Sequence, residues 1–465
     1  MVRRHLLKLA LGASLFLGGA HSTWAESVTL TPEEMRNAAA LSLDTANPAQ
    51  ALALAEALLA RDPEDIEALV LKSRAQRDLG GYDAALETAK KANSLAERDE
   101  ETYAAALARA QALSSLGART RAQYWLRVAS QNAPNDAARD RAIRDFKYVR
   151  SRNPWNTQLS FSVAPTSNVN DGSVHDKISY GGLQGIVLSG SAQALSGVSW
   201  SGGVTTRYRF SESETHQTDI GLHLFGQTYT LSDEAKEIAP DAKGSDFAYS
   251  SVAVGLRHLW RPESWTTPLE VSLLYGRGWY GGQDYSRYTR SAIARPFVLG
   301  EDTQLRFSAG GEHFYRITDG ATQRSLHAGA TLLHEFDNGA DLRFSLGVKD
   351  SNSETGSLDY TRVLGNIGYT LPQKIAMART TLELGLEKQT YDNFPTLDTR
   401  GFFIVYTEKE RVDLSGSVGV RFVFDDVDYY GFSPTMAVLY SETRSTDDRY
   451  DTVDAGVNFG FQSNF

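Results

Sequence analysis

The sequence predicts an α+β chain of two parts, an N-terminal α-solenoid followed by a transmembrane antiparallel β-barrel of about 14 strands. Three observations predict it. The composition breaks near residue 153, rich in Ala, Leu, Glu and Arg before it and in Gly, Tyr, Phe, Thr and Ser after it. The first stretch carries a pattern that recurs after 34 residues and again after 37. The second alternates apolar and polar residues with a period of two, down to the last residue.

Residues 1–25 read as a signal peptide. Arg3, Arg4 and Lys8 form its basic start, and residues 9–20 a short uncharged apolar core. Thr23-Trp24-Ala25 is a small-residue cleavage site before Glu26. That core is too short to span a bilayer as a helix. No Cys follows it, so no lipid anchor is expected. The chain has no cysteine at all, which excludes a disulfide framework and any thiolate metal site. The formal charge is −10, or −13 without the three basic residues of the leader. Nucleic acid is therefore not an expected partner. No later run is long and apolar enough for a membrane helix.

Residues 26–152 form the predicted periplasmic helical domain. Ala51, Ala55, Leu58 and Pro63 match Ala85, Ala89, Ala92 and Glu97, and then Ala122, Leu126, Ala129 and Pro134. Leu79-Gly80-Gly81-Tyr82-Asp83-Ala84-Ala85-Leu86 looks like the turn and second helix of a tetratricopeptide repeat. Small residues let two antiparallel helices approach closely, and each pair must stack on the next to cover its apolar stripe. The spacing predicts about two and a half repeats plus a closing helix at 136–150. The expected job of such a module is holding a polypeptide or another protein.

Residues 153–465 form the predicted outer-membrane barrel domain. Trp155, Leu159, Phe161 and Val163 share one face of a first strand. Leu305, Phe307, Ala309, His313, Tyr315 and Ile317 share another, as do Leu382, Leu384 and Leu386. At the end, Val453, Ala455, Val457, Phe459, Phe461 and Phe465 alternate with small or polar residues. This final strand, with Phe459, Phe461 and Phe465, resembles the signal by which bacterial outer-membrane barrels are recognised for assembly. The tight turn Phe336-Asp337-Asn338-Gly339-Ala340 sets the phase on the periplasmic side. Counting from it, residues 350–358, 391–409 and 444–451 fall outside. Residues 183–210 read as one strand with an irregular end or as two, so 14 strands are preferred and 16 remain open.

The face opposite lipid holds Gly310, Gly329, Gly347, Gly368, Gly385 and Gly419 among charges of both signs. The expected lumen-facing residues are Arg306, Glu312, Arg316, Arg343, Gly347, Lys349, Glu383, Gly385, Glu387 and Arg421. Such a wall suits a wet lumen that holds cargo loosely; equally, the glycines relieve curvature and the charges pair across strands. The histidines are scattered without metal-ligand spacing. Asp425, Asp426 and Asp428 read as a solvated acidic turn. No Gly-x-Ser-x-Gly elbow, Walker loop or His-Glu-x-x-His occurs. No catalytic residue, metal ligand or cofactor is assigned, and the chain is not expected to be an enzyme.

At the junction stand Asn153-Pro154-Trp155 and then Leu159-Ser160-Phe161-Ser162-Val163-Ala164-Pro165-Thr166-Ser167-Asn168-Val169-Asn170. Trp155, Pro165, Asn168 and Asn170 here resemble the start of the barrel in the Slam family. These are the surface lipoprotein assembly modifiers, also called type XI secretion outer-membrane proteins. The resemblance implies a short periplasmic repeat domain joined to a barrel of about 14 strands. It also implies transport of protein across the outer membrane: surface lipoproteins, or secreted haem- and metal-acquisition proteins. The implied partners are that cargo, the barrel-assembly machinery and outer-membrane lipid, with a monomeric barrel. Two other readings stay open, an exopolysaccharide exporter that fuses such repeats to a barrel, and a porin-like channel.

Overall fold

A computed structural model of the protein describes residues 30–180, 183–400, 403–427 and 429–463. The leader and Phe465 lie outside these. The helical half comprises α1 (Pro32–Asp44), α2 (Pro48–Arg61), α3 (Ile66–Asp78), α4 (Tyr82–Leu95), α5 (Asp99–Ser115), α6 (Arg119–Gln131) and α7 (Asp136–Arg152). Their starts are written in the sequence. Thr31 and Glu34 form a capping box, and the side chains of Asn47, Asp65 and Asn135 cap α2, α3 and α7. Pro32 and Pro48 occupy first helical positions, where their missing N–H costs nothing.

The repeating alanines prove to be the second helix of each pair. Ala51, Ala55, Ala85, Ala89, Ala92, Ala122 and Ala129 are fully buried on α2, α4 and α6. The structure has three helix pairs plus α7, more than the sequence pattern suggested. The spacing marked α2 of the first pair but not α1, because the turn between them lacks the glycine. Gly80 and Gly117 turn the later pairs with φ of +84° and +78°, whereas the first turn uses Ala46 at +57°.

The second half is a closed antiparallel barrel of 14 strands. They are β1 (Trp155–Thr166), β4 (Gly197–Glu212), β5 (His216–Leu231), β6 (Tyr249–Trp260), β7 (Leu269–Tyr280), β8 (Gln283–Val298) and β9 (Thr303–Arg316). Then come β10 (Thr322–Glu335), β11 (Asp341–Asn352), β12 (Tyr360–Thr370), β13 (Arg379–Arg400), β14 (Phe403–Val423), β15 (Phe432–Ser445) and β16 (Thr452–Ser463). Each pairs with its neighbour in order, and β1 closes on β16 through Ser162–Gly460, Val163–Phe459 and Thr166–Gly456.

The ambiguous stretch 183–210 resolves into one barrel strand, β4, and a separate outer hairpin, β2 (Lys177–Tyr180) with β3 (Leu183–Val187). Residues 391–400 and 403–409, expected to fall outside the membrane, are strand there rather than open loop. β13 and β14 are 22 and 21 residues long, about twice what a membrane crossing needs. They therefore continue past the wall as a two-stranded ribbon.

The wall shows its apolar side chains outward. Leu326 is 70% exposed, Leu159 66% and Leu386 64%. Near the solenoid a belt of rings faces lipid: Trp155 against Tyr208, Trp260 against Trp265, Phe297 against Phe307, and Phe336 against Tyr369. Aromatic girdles of this kind sit at the membrane–water boundary. The belt marks one membrane boundary; the long connections lie at the opposite end, which makes this end the periplasmic one.

Candidate functional site

The lumen wall is built by strand alternation, and its charges pair along it. Arg421 donates to Glu383 across β14 and β13 at 2.9 Å. Glu312 takes Arg290 from β8 and Lys349 from β11, the latter at 3.4 Å. Arg257 bridges Asp219 and Glu270 at 3.3 and 3.1 Å, Arg306 approaches Glu270 at 3.7 Å, and Arg362 meets Glu387 at 3.2 Å. Arg343 lines a lumen crevice of about 330 Å³ with Glu383 and Gly385. Arg316 is on the same face of β9 as Arg306 and Glu312, at the outer end, where it pairs with Asp319 of the turn 317–321 at 2.7 Å. That hydrogen-bonded pair lowers the Asp319 carboxyl to about 2.

The inward glycines mostly lodge neighbouring side chains against the wall. A Cβ on Gly310 would strike the His327 ring, one on Gly385 the Ser417 hydroxyl, and one on Gly419 the Leu439 side chain. Gly347 faces Leu364 in the same way, and Gly276 makes room for the Tyr288 ring. Gly368 is different, since its nearest neighbours would be Thr381 and Arg343 carbons at 3.8 and 3.9 Å. Glycine here keeps larger residues flat, which leaves the passage beside them open.

The outer mouth carries a constellation that the sequence pattern did not flag. Arg411 is 7% exposed and lies over Tyr391, Phe394 and Tyr450, the last at 3.4 Å. Its guanidinium grips Asp413 through two hydrogen bonds, and Ser445 donates to the same carboxylate at 2.6 Å. A planar cation between rings and a carboxylate ties the base of the β13–β14 ribbon to the β15–β16 turn. The usable signal was Arg411 and Asp413 two apart on one inward face.

Residues 167–180 and 183–196 cover part of the same mouth. Asn170 donates to the carbonyls of Ser191 and Gln193 at 2.9 and 2.8 Å and accepts from Leu195 N–H at 2.9 Å. Asn168 and Gly172 exchange two bonds of 2.9 Å. Val169 and Leu195 then pack with Leu231, Ala235 and Ala239 of the next outer segment, which includes α8 (Asp233–Ile238). Thr166 and Ser167 bond Asp454 of β16. Asn168 and Asn170 therefore staple a cap. Trp155 stands in the inner girdle, and Pro165 sits exposed on β1, where it contributes no N–H to the wall. Phe459 and Phe461 face lipid, 49% and 60% exposed.

The solenoid is docked on the barrel. Arg127 donates to the Tyr430 carbonyl at 2.7 Å, and Tyr430 N–H donates to Gln131 at 2.9 Å. Arg127 also lies between the rings of Phe146 and Phe432. Above this junction Arg74 of α3 faces Arg141 of α7. Burial, then the nearby Arg141, push the Arg74 guanidinium below its ordinary range, with Asp44 only at 3.8 Å. The field at Arg74 is thus mixed, with Arg141 and Arg77 on one side and the carboxylates of Asp44 and Asp78 on the other.

A family profile described as surface lipoprotein assembly modifier matches residues 155–465. The chain belongs to the surface lipoprotein assembly modifier family. The match covers every strand of the barrel, and it makes this protein an outer-membrane protein. No curated protein matches the chain. Among solved structures, the type III secretion translocator chaperone SycD of Yersinia enterocolitica is similar at 16% identity. It covers 26% of this chain and 83% of its own, with a TM-score of 0.23. A BenF-like porin of Pseudomonas fluorescens Pf-5 is 6% identical, covering 66% and 98%, with a TM-score of 0.35. A bacterial polysaccharide outer membrane secretin is 8% identical, covering 66% and 98%, with a TM-score of 0.30.

Proposed function

We propose that this modifier delivers a partner surface lipoprotein, or a secreted haem- or metal-acquisition protein, across the outer membrane. The observation that carries the reading is the family match over the whole barrel. The geometry supports it in two ways. The lumen charges neutralise one another along the wall, so a passing polypeptide meets little net field. The docked solenoid offers Arg74 and Arg141 beside Asp44 and Asp78, a surface of mixed charge for an incompletely folded chain. In this reading the protein is not an enzyme and needs no cofactor. Its barrel is monomeric in outer-membrane lipid, and the assembly machinery recognises Phe459 and Phe461 of the last strand together with Phe465.

The test is surface delivery in intact cells. A co-expressed partner lipoprotein should become accessible to added protease when the modifier is present and stay protected when it is absent. Removing residues 32–150 should leave a heat-modifiable, folded barrel that exports poorly, because stacked repeats and barrel each have their own core. Full delivery without the modifier would overturn the reading; full delivery by the isolated barrel would confine the solenoid to an accessory role.

A further inference from the structure

We propose that the outer wall of the barrel carries a binding groove for a phosphorylated, multiply acylated glycolipid of the outer leaflet. The groove has a volume of about 770 Å³, within the range of ligand sites, and opens to the lipid side across β12, β13 and β14. Its floor is Leu386, flanked by two outward glycines. A Cβ on Gly416 would meet only Leu386, at 4.0 Å, and one on Gly365 would meet Leu346 at 3.5 Å. Every other outward position in that row across β11 to β14 carries a leucine, so the two glycines make dents into which an acyl chain fits. No crowding neighbour requires glycine at Gly416.

The rim supplies the second half of the site. Strand register places Lys388, Leu414 and Arg444 side by side on three adjacent strands. Lys388 has no ion-pair partner among the described residues. Arg444 is 81% exposed and is held through Nε by Glu442 at 2.7 Å, which in turn accepts from the Tyr440 hydroxyl at 3.2 Å. Glu442 offsets one of the two cations and fixes its direction. The rim thus keeps one free ammonium beside a positioned guanidinium, complementary to phosphate.

The height of the rim selects the lipid. From Phe424, the residue just past the periplasmic end of β14, back to Leu414 is ten residues, with the even positions of β14 facing lipid. At about 3.3 Å per residue and a tilt near 45°, that rise is roughly 23 Å, close to the full apolar band of about 25 Å. Lys388 and Arg444 therefore stand at the outer-leaflet headgroups, with the groove running inward among the chains. An amphiphile with phosphates at that height and several acyl chains matches both features. The acyl anchor of a lipoprotein cargo matches only the groove.

Native mass spectrometry of the full-length protein in detergent tests this, with three probes: bis-phosphorylated lipid A, the same lipid dephosphorylated, and a triacylated cysteine lipopeptide. Lipid A should be retained. Retention should fall roughly tenfold or more for Lys388→Gln with Arg444→Gln, for Gly365→Leu with Gly416→Leu, and for the dephosphorylated lipid. All variants are to be scored only in their heat-modifiable folded form. Equal retention of the dephosphorylated lipid, or of lipid A by either double variant, would overturn the proposal. So would preferential retention of the lipopeptide, which would assign the groove to cargo. Surface delivery is read separately, so failure here leaves the export reading standing.

Discussion

The two halves of this chain sort the same residue types in opposite directions. In the solenoid the apolar residues are hidden: Ala106, Ala112, Leu113 and Ala122 are fully buried around Phe146, and charges coat the outside. In the barrel Leu326, Leu346, Leu384 and Leu386 point out, while Arg421, Glu383, Lys349 and Glu312 point in. The difference teaches that each half is designed against its own solvent. Helix pairs exclude water by stacking on one another. The wall leaves its apolar side to lipid and satisfies every strand by closure. The two cores are joined through Arg127, Gln131 and Tyr430, and Tyr430 also packs against the solenoid core.

The sharpest way to break the comparison is a charge on the lipid face. Leu384→Arg near mid-wall should cost about 2–4 kcal/mol of barrel stability, read by refolding into lipid vesicles from urea. An Arg at the neighbouring inward Gly368 should cost far less. Equal costs would mean that the alternation does not separate lipid from water. A smaller effect is expected inside the solenoid. Ala89→Leu on α4 inserts bulk into a fully buried helix contact and should cost roughly 1–3 kcal/mol, lowering the helical melting transition without changing the folded barrel fraction. Loss of both transitions together would show that the cores are not independent. The smallest effect has the opposite sign. Ala46 holds the left-handed turn that Gly80 and Gly117 hold elsewhere. Ala46→Gly should raise the solenoid melting transition, by roughly 0.5–1 kcal/mol, and a fall would contradict the repeat register.

Much of this arrangement was legible because it is periodic. The 34- and 37-residue spacings marked the buried faces of α2, α4 and α6, and alternation from Phe336–Ala340 outward gave the sidedness of Gly347, Gly385 and Arg421. What stayed hidden depends on contacts without a period. Asn170 reaches across more than twenty residues to staple the cap, and Arg411 gathers rings from two segments. The β13–β14 ribbon looked like a loop because outside the membrane nothing forces its residues to alternate apolar and polar. The inward glycines were readable as positions, but what each one accommodates, such as His327 or Ser417, belongs to the next strand. The helix-pair count slipped at Ala46, where the turn conformation is kept and its signature residue is not.

If the barrel gives passage, cargo meets the inner side of this wall. Ile367 and Gly368 are consecutive residues of β12, one facing lipid and the other the open part of the lumen. A photo-cross-linking phenylalanine analogue placed at each in turn, in cells delivering a partner lipoprotein, tests the claim directly. The account predicts a cargo adduct from position 368 and none from 367. Adducts from 367 alone, or none from 368 during active delivery through a folded barrel, would contradict it and make the barrel a platform beside which cargo crosses.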